Sequence, residues 1–195
     1  MAEILSPLGT ETRSGRYANT AARIGVALSE TAPGSIVQLA AWPETEAEAR
    51  AAIAAVMKLD IADAPGAGAV SGESAAFGIA PGRFLLTDAD EGLAARLAKA
   101  VPPSVGSVTD LSHGRTAIRV EGEMAEWLLA KFFAVDFAEK KFPVGKSIST
   151  NHHDIFAHIQ RSGPQRFDLY VFRSFARSFW NALCHAAEET GYEIR

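Results

Sequence analysis

The sequence holds a single cysteine, Cys184, so it can form no internal disulfide and no metal site built on several thiolates. It has no run rich in lysine and arginine, which argues against nucleic-acid binding driven by phosphate neutralisation. No stretch approaches the roughly 18 consecutive apolar residues that a membrane-crossing helix requires. The first 23 residues lack the basic start and apolar core of a secretory signal, so a soluble cytoplasmic protein is expected. Charge of either sign is modest, with 19 Lys and Arg against 23 Asp and Glu. An excess of about five acids falls in the first 110 residues, and the remainder is close to neutral. With 48% hydrophobic and 22% charged residues over 195 positions, the chain can bury a core and is not expected to be disordered.

What is present is one order of elements, read twice. Residues 1–22 are small and polar, and are expected to form an extended, mobile N-terminal arm. Residues 23–103 read β-β-α-β-β-α. Strands are expected at 23–29 and 35–42 around the turn Thr31-Ala32-Pro33-Gly34, then a helix at 45–57 opened by a Thr45/Glu48 capping box. A linker through Gly66-Ala67-Gly68 leads to strands at 75–80 and 83–87. Asp88 with Glu91 then caps a helix whose apolar stripe is Leu93, Leu97 and Val101. Pro102-Pro103 ends that helix.

Residues 104–195 repeat the order. Strands are expected at 106–111 and 116–121, then a helix bearing Met124, Trp127, Leu128 and Phe132. Strands at 154–160 and 166–172 follow, and a last helix starts at Ser174 and packs Phe179, Trp180, Leu183 and Ala187. The period of roughly 80 residues suits a duplicated half-domain and is too long for a solenoid. The fold class is therefore α+β: two similar halves in one compact domain, with two sheets and their helices outside.

Candidate chemistry is sparse. On a strand from 154 to 160, Asp154, Phe156 and His158 would share a face, with His152 joining them, so His152, Asp154 and His158 form a weak metal-site candidate. Their spacing matches no strong zinc pattern, and solvated or interface histidines are the default reading. Asp110, Ser112 and His113 lie too close together on an extended segment to converge as a triad, and Ser112-His113-Gly114 reads as a turn with Gly114 at positive φ. Gly66 to Gly72 follows a helix and precedes a strand, the reverse of a dinucleotide-binding loop. Cys184 shares a helical stripe with Trp180 and Ala187, as an inert buried thiol would. Arg173 and Arg177 flank the start of the last helix on another side and suit a subunit interface or a solvated face. No catalytic, cofactor-binding or metal residue is assigned.

The run from Asp110 to Gly122 (DLSHGRTAIRVEG), with Phe167 to Ala176 (FDLYVFRSFA) and then Phe179-Trp180, resembles the gamma subunit of heterotetrameric sarcosine oxidase. The first run is also similar to the Asp-x-Ser-x-x-Gly pattern of the folate-dependent aminomethyltransferase (glycine-cleavage T-protein) superfamily. The likeness covers about 85 residues. It implies a folate-transferase-like fold in a chain that carries no cofactor and packs on an alpha-type subunit, stabilising it. The implied complex, with alpha-, beta- and delta-type partners, oxidatively demethylates sarcosine to glycine. It passes the one-carbon unit to tetrahydrofolate and electrons to oxygen, and FAD, FMN, NAD and folate sit in the other subunits. Two alternatives remain at this stage: the small subunit of a related complex such as N-methylglutamate dehydrogenase, and an autonomous folate-binding one-carbon protein. The latter would need a pterin-holding carboxylate, for which Asp110 is the nearest candidate.

Overall fold

A computed structural model of the chain describes residues 6–18 and 24–195. The remaining positions of the expected arm, 1–5 and 19–22, and Arg23 at the start of the first expected strand lie outside them. The chain divides into two compact units. One takes the described residues up to Thr31, then 113–144 and 150–195; the other takes 32–112 and 145–149.

The 32–112 unit is built on the strand order β4-β5-β6-β3-β7, with β3 at Ser35–Ala41, β4 at Gly68–Ser71, β5 at Ser74–Ala80, β6 at Arg83–Asp88 and β7 at Gly106–Asp110. Period-2 patterning sets its core. Val37 and Leu39 of β3 stand opposite Leu86 and Phe84 of β6, so these side chains share a face. Helices α1 (Glu46–Met57) and α2 (Leu93–Ala100) cover that face with Ala49, Ile53, Leu93 and Leu97, all fully buried. Each such large aliphatic side chain contributes about 1.5–3 kcal/mol by leaving water.

A second sheet has seven strands in the order β1-β12-β2-β8-β11-β10-β9. Its strands are β1 (Gly15–Tyr17), β2 (Val26–Thr31), β8 (Arg115–Glu121), β9 (Ser147–His152), β10 (Ile155–Gly163), β11 (Arg166–Phe172) and β12 (Tyr192–Ile194). Helix α3 spans Ala125–Ala130 and α4 spans Ala176–Ala187. The expected stripe of α4 is buried, with Phe179, Trp180, Leu183 and Ala187 each at most 1% exposed.

The duplicated order holds; among the described residues the first half has one strand more than expected and the second two, the last being β12. Gly68–Ser71 and Ser147–His152, at matching places in the two halves, are strands. The sheets do not follow the 103/104 division. β2, from the first half, pairs with β8 of the second, and β7, from the second half, pairs with β3 of the first. The orders β7-β3-β6-β5-β4 and β2-β8-β11-β10-β9 then correspond strand for strand, with the leading strand of each half exchanged. The turns at 31–34 and 112–114 therefore join strands of different sheets and close no hairpin. Glycine is needed at the first of these, because a Cβ on Gly34 would lie 2.1 Å from the carbonyl oxygen of Ala89.

Several local expectations are corrected. The Thr45 hydroxyl donates to the carbonyls of Trp42 and Val105, so no capping box forms on α1. Asp88 accepts from the Asp90 amide and Arg96, and α2 starts instead after Gly92. Ser174 lies in a 3-10 turn, Arg173–Phe175, ahead of α4 and does not cap it. Gly114 is not at positive φ. Residues 6–18 are not a free arm. Leu8 is fully buried, the carbonyl of Glu11 accepts from the Trp180 indole at 3.2 Å, and Tyr17 stacks on Tyr192 at 5.2 Å.

Candidate functional site

The three residues singled out for metal binding do not converge. β9 ends at His152 and β10 begins at Ile155, so Asp154 lies in the turn between them, with His153 at φ 50°. The Nδ1 of His152 lies 3.0 Å from the carbonyl oxygen of Phe132, and its ring stands edge-on to that phenylalanine. His158 is 4% exposed on β10, against the ring of Phe156 at 4.9 Å. Burial, and then the charge of Arg115, push its pKa down to about 4, so the imidazole is neutral at pH 7. Among the described residues no group of three His, Cys, Asp or Glu could hold a metal ion. The expectation of solvated histidines fails at His158, because β10 is buried on both faces through most of its length.

The other candidate groups are held in structural roles. Asp110 Oδ1 accepts from the backbone amide of Ser112 at 2.9 Å and from its hydroxyl at 2.6 Å. The same hydroxyl accepts from the amide of Ile36 at 3.0 Å, so Asp110 and Ser112 fasten a turn. His113 is exposed. Gly66 stacks its backbone on Ser147, whose amide donates to it at 2.8 Å, and the chain from Gly68 runs into β4. Cys184 is half-buried, and desolvation raises its thiol pKa to about 11, far from a reactive thiolate.

Two clefts stand out among the described residues. One of about 730 Å³ lies around Gly25, Gly122 and Gly163, and its charges are Arg16, Arg166, Arg195, Glu121 and Glu193. Arg195 bridges Glu193 and Glu121 at 2.6 Å each, which neutralises most of this set. The other, about 560 Å³, is walled by Ile61, Pro65, Ile79 and Phe84 in the 32–112 unit, with Arg50 held by Asp63. Neither lining includes a histidine or cysteine.

The more distinctive surface lies where β11 runs into α4. Phe172 and Phe175 are 42% and 38% exposed, although Val171 and Ala176 beside them in sequence are buried. The guanidinium of Arg115 lies over the Phe172 ring at 3.6 Å. These two residues are direct cross-strand partners on β8 and β11. Arg173 is half-buried, with its amide donating to the Gly114 carbonyl at 3.0 Å, and Arg177 is exposed in the first turn of α4. Arg173 and Arg177 are the two arginines flagged in the sequence; Arg115 was identifiable only once the strand register was known. The register also reveals Arg119–Asp168, a two-pronged ion pair across β8 and β11 at 2.7 and 3.2 Å.

Comparison with known structures first fixes the class. Glycine cleavage system aminomethyltransferase T from Bartonella henselae superposes with a TM-score of 0.60 at 17% identity, covering 95% of this chain and 61% of that one. The molecule is an α+β protein of the aminomethyltransferase-like fold. A chain of heterotetrameric sarcosine oxidase from Corynebacterium sp. U-96, solved in complex with pyrrole 2-carboxylate, matches more fully. Its TM-score is 0.80 at 27% identity, with 95% of each chain covered. Sarcosine oxidase subunit gamma from Corynebacterium sp. (strain U-96) is 30% identical over 173 residues, covering 88% of this chain and 84% of that protein. The subunit gamma of strain P-1 is 32% identical over 129 residues. Residues 44–189 match the sarcosine oxidase, gamma subunit family, and the chain belongs to it.

Proposed function

We propose that this chain is the non-catalytic gamma subunit of a heterotetrameric sarcosine oxidase-type complex, in which it packs on the alpha-type subunit and stabilises it. The complex oxidatively demethylates sarcosine to glycine, with one-carbon transfer to tetrahydrofolate. Its FAD, FMN, NAD and folate are held by the other subunits. The observation that carries this reading is the end-to-end correspondence, 95% in both directions, with a chain of such an assembly. The disposition of the polar groups supports the non-catalytic part: Asp110, Ser112, His152 and His158 are each engaged in turns or packing, and in the smaller cleft Lys146, Ser147 and Ser149 donate to backbone carbonyls. Arg173 and Arg177 belong to the surface that meets a partner. Among the described residues no helix is long and apolar enough to cross a membrane.

Co-expression of the full chain with its companion subunits tests the proposal. The expected result is a stable stoichiometric assembly, and a lower yield of oxidase when this chain is omitted. Turnover of sarcosine by the isolated chain, or tight uptake of tetrahydrofolate by it, would overturn the non-catalytic assignment.

A further inference from the structure

The surface built by Arg115, Phe172, Phe175 and Arg177 has two features that the chain by itself leaves uncompensated. The first is Arg115. Its guanidinium lies over the Phe172 ring, and its Nη1 is buried with no hydrogen-bond partner. Burial lowers the pKa of the group, the sign expected when no carboxylate offsets the lost hydration. A buried cationic donor without an acceptor is costly in a finished structure. The second is Arg177. It stands in the first turn of α4, where the helix dipole disfavours a cation, and α4 has no acidic residue in that turn. No ion pair involves it among the described residues.

Phe172 lies under Arg115 and Phe175 two positions before Arg177, and they are two of the four large apolar side chains exposed among the described residues. The local sequence is free of acid: none occurs from Leu169 to Ala187, or from Leu111 to Val120, in a chain whose acids outnumber its bases. Arginine flanked by aromatic side chains is the composition of an interface centre, where both become valuable once desolvated.

We infer that the face formed by Arg115, Phe172, Phe175 and Arg177 docks a segment of a companion subunit that places carboxylates against the two arginines and apolar side chains against the two phenylalanines. This rests on the reading of the chain as a subunit of a larger complex and assigns the surface it uses. A carboxylate reaching Arg115 supplies the acceptor that Nη1 lacks. One at Arg177 offsets the unfavourable helix-end charge. Covering the phenylalanines removes apolar surface from water.

The test is co-purification of tagged full-length variants with the co-expressed companion subunits. The double substitution Arg115→Glu/Arg177→Glu, and separately Phe172→Ala/Phe175→Ala, is expected to reduce recovered companion at least about tenfold, as loss of desolvated charge pairs and aromatic anchors does. Arg177→Lys keeps the charge and is expected to retain most of it. Val144→Ser, at a residue 47% exposed elsewhere, is the control and is expected to bind as the parent does. Thermal melts of each isolated chain, within a few degrees of the parent, show that the loss is not misfolding. If the charge-reversed chain is folded and still assembles at the parental level, this face is not the interface, while the subunit reading survives. If the parental chain recovers no companion, both fall. If the isolated parent is a dimer that Arg115→Glu/Arg177→Glu dissolves, the face serves a second copy and the inference is overturned.

Discussion

Arg119 on β8 and Asp168 on β11 face each other across the sheet and join through two hydrogen bonds, Nε to Oδ1 at 2.7 Å and Nη2 to Oδ2 at 3.2 Å. Asp168 is 5% exposed, so its carboxylate is hydrogen-bonded by the pair and has little access to water. Removing Arg119 leaves the buried carboxylate of Asp168 without this ion-pair partner. Arg119→Ala is expected to destabilise by about 3–5 kcal/mol. The double change Arg119→Leu/Asp168→Leu, which leaves no orphaned charge, is expected to cost clearly less. Urea denaturation of the three chains measures both, and equal losses for the single and double variants would show the pair to be unimportant.

The exchange of leading strands makes a prediction about the two halves. A fragment ending at Pro103 keeps β3, β6 and β5 but loses β7 from the edge of their sheet. A fragment beginning at Ser104 keeps β8, β11 and β10 but loses β2, which lies between β8 and β12. Each leaves a strand with unpaired amides and carbonyls, and the second loses a central strand. Neither fragment is expected to give a dispersed amide NMR spectrum alone, and mixing the two is expected to restore it. Independent folding of either one would contradict the strand exchange.

His158 sets a pH dependence. Its folded-state pKa is about 4, below the unfolded value of 6.5, because burial and then Arg115 disfavour the imidazolium. Between those values the unfolded chain binds a proton that the folded chain refuses, so stability rises with pH. The contribution is fully present above pH 6.5 and is lost as pH falls towards 4, by about 3 kcal/mol at most. His158→Phe is expected to flatten unfolding free energy against pH across that window. An unchanged slope would place the imidazole in water.

These three features differ in how far the sequence reveals them. The helices and most strands follow from periodicity: Ala49 and Ile53, Leu93 and Leu97, and Phe179, Trp180 and Leu183 are spaced for one face and are buried on it. β4 and β9 are not evident in that way, because Gly68–Ser71 is short and small and Ser147–His152 is largely polar. Strand exchange is invisible to local patterning, since alternation states which face a residue takes and not which strand lies beside it. The helix caps fail for a related reason: Thr45 finds a better acceptor in Val105, a residue 60 positions away. The proposed metal trio depended on Asp154 continuing a strand, and one turn removes it. Arg173 and Arg177 could be singled out from charge placement alone. Arg115 required the register that sets it against Phe172.

The docking of residues 6–18 gives the last prediction. Leu8 is fully buried, and the neighbouring backbone supplies the acceptor for Trp180, which is itself 1% exposed at the centre of α4. An arm free in solution would tolerate Leu8→Ala within about 0.5 kcal/mol. A side chain that fills core volume would not, and the substitution is expected to cost about 2–5 kcal/mol through lost burial and the cavity left behind. Because the indole loses its fixed surroundings if the segment lifts away, Trp180 fluorescence in the variant is expected to shift to longer wavelength before global unfolding. Parental stability together with a parental emission maximum in Leu8→Ala would return these residues to the role of a loose arm.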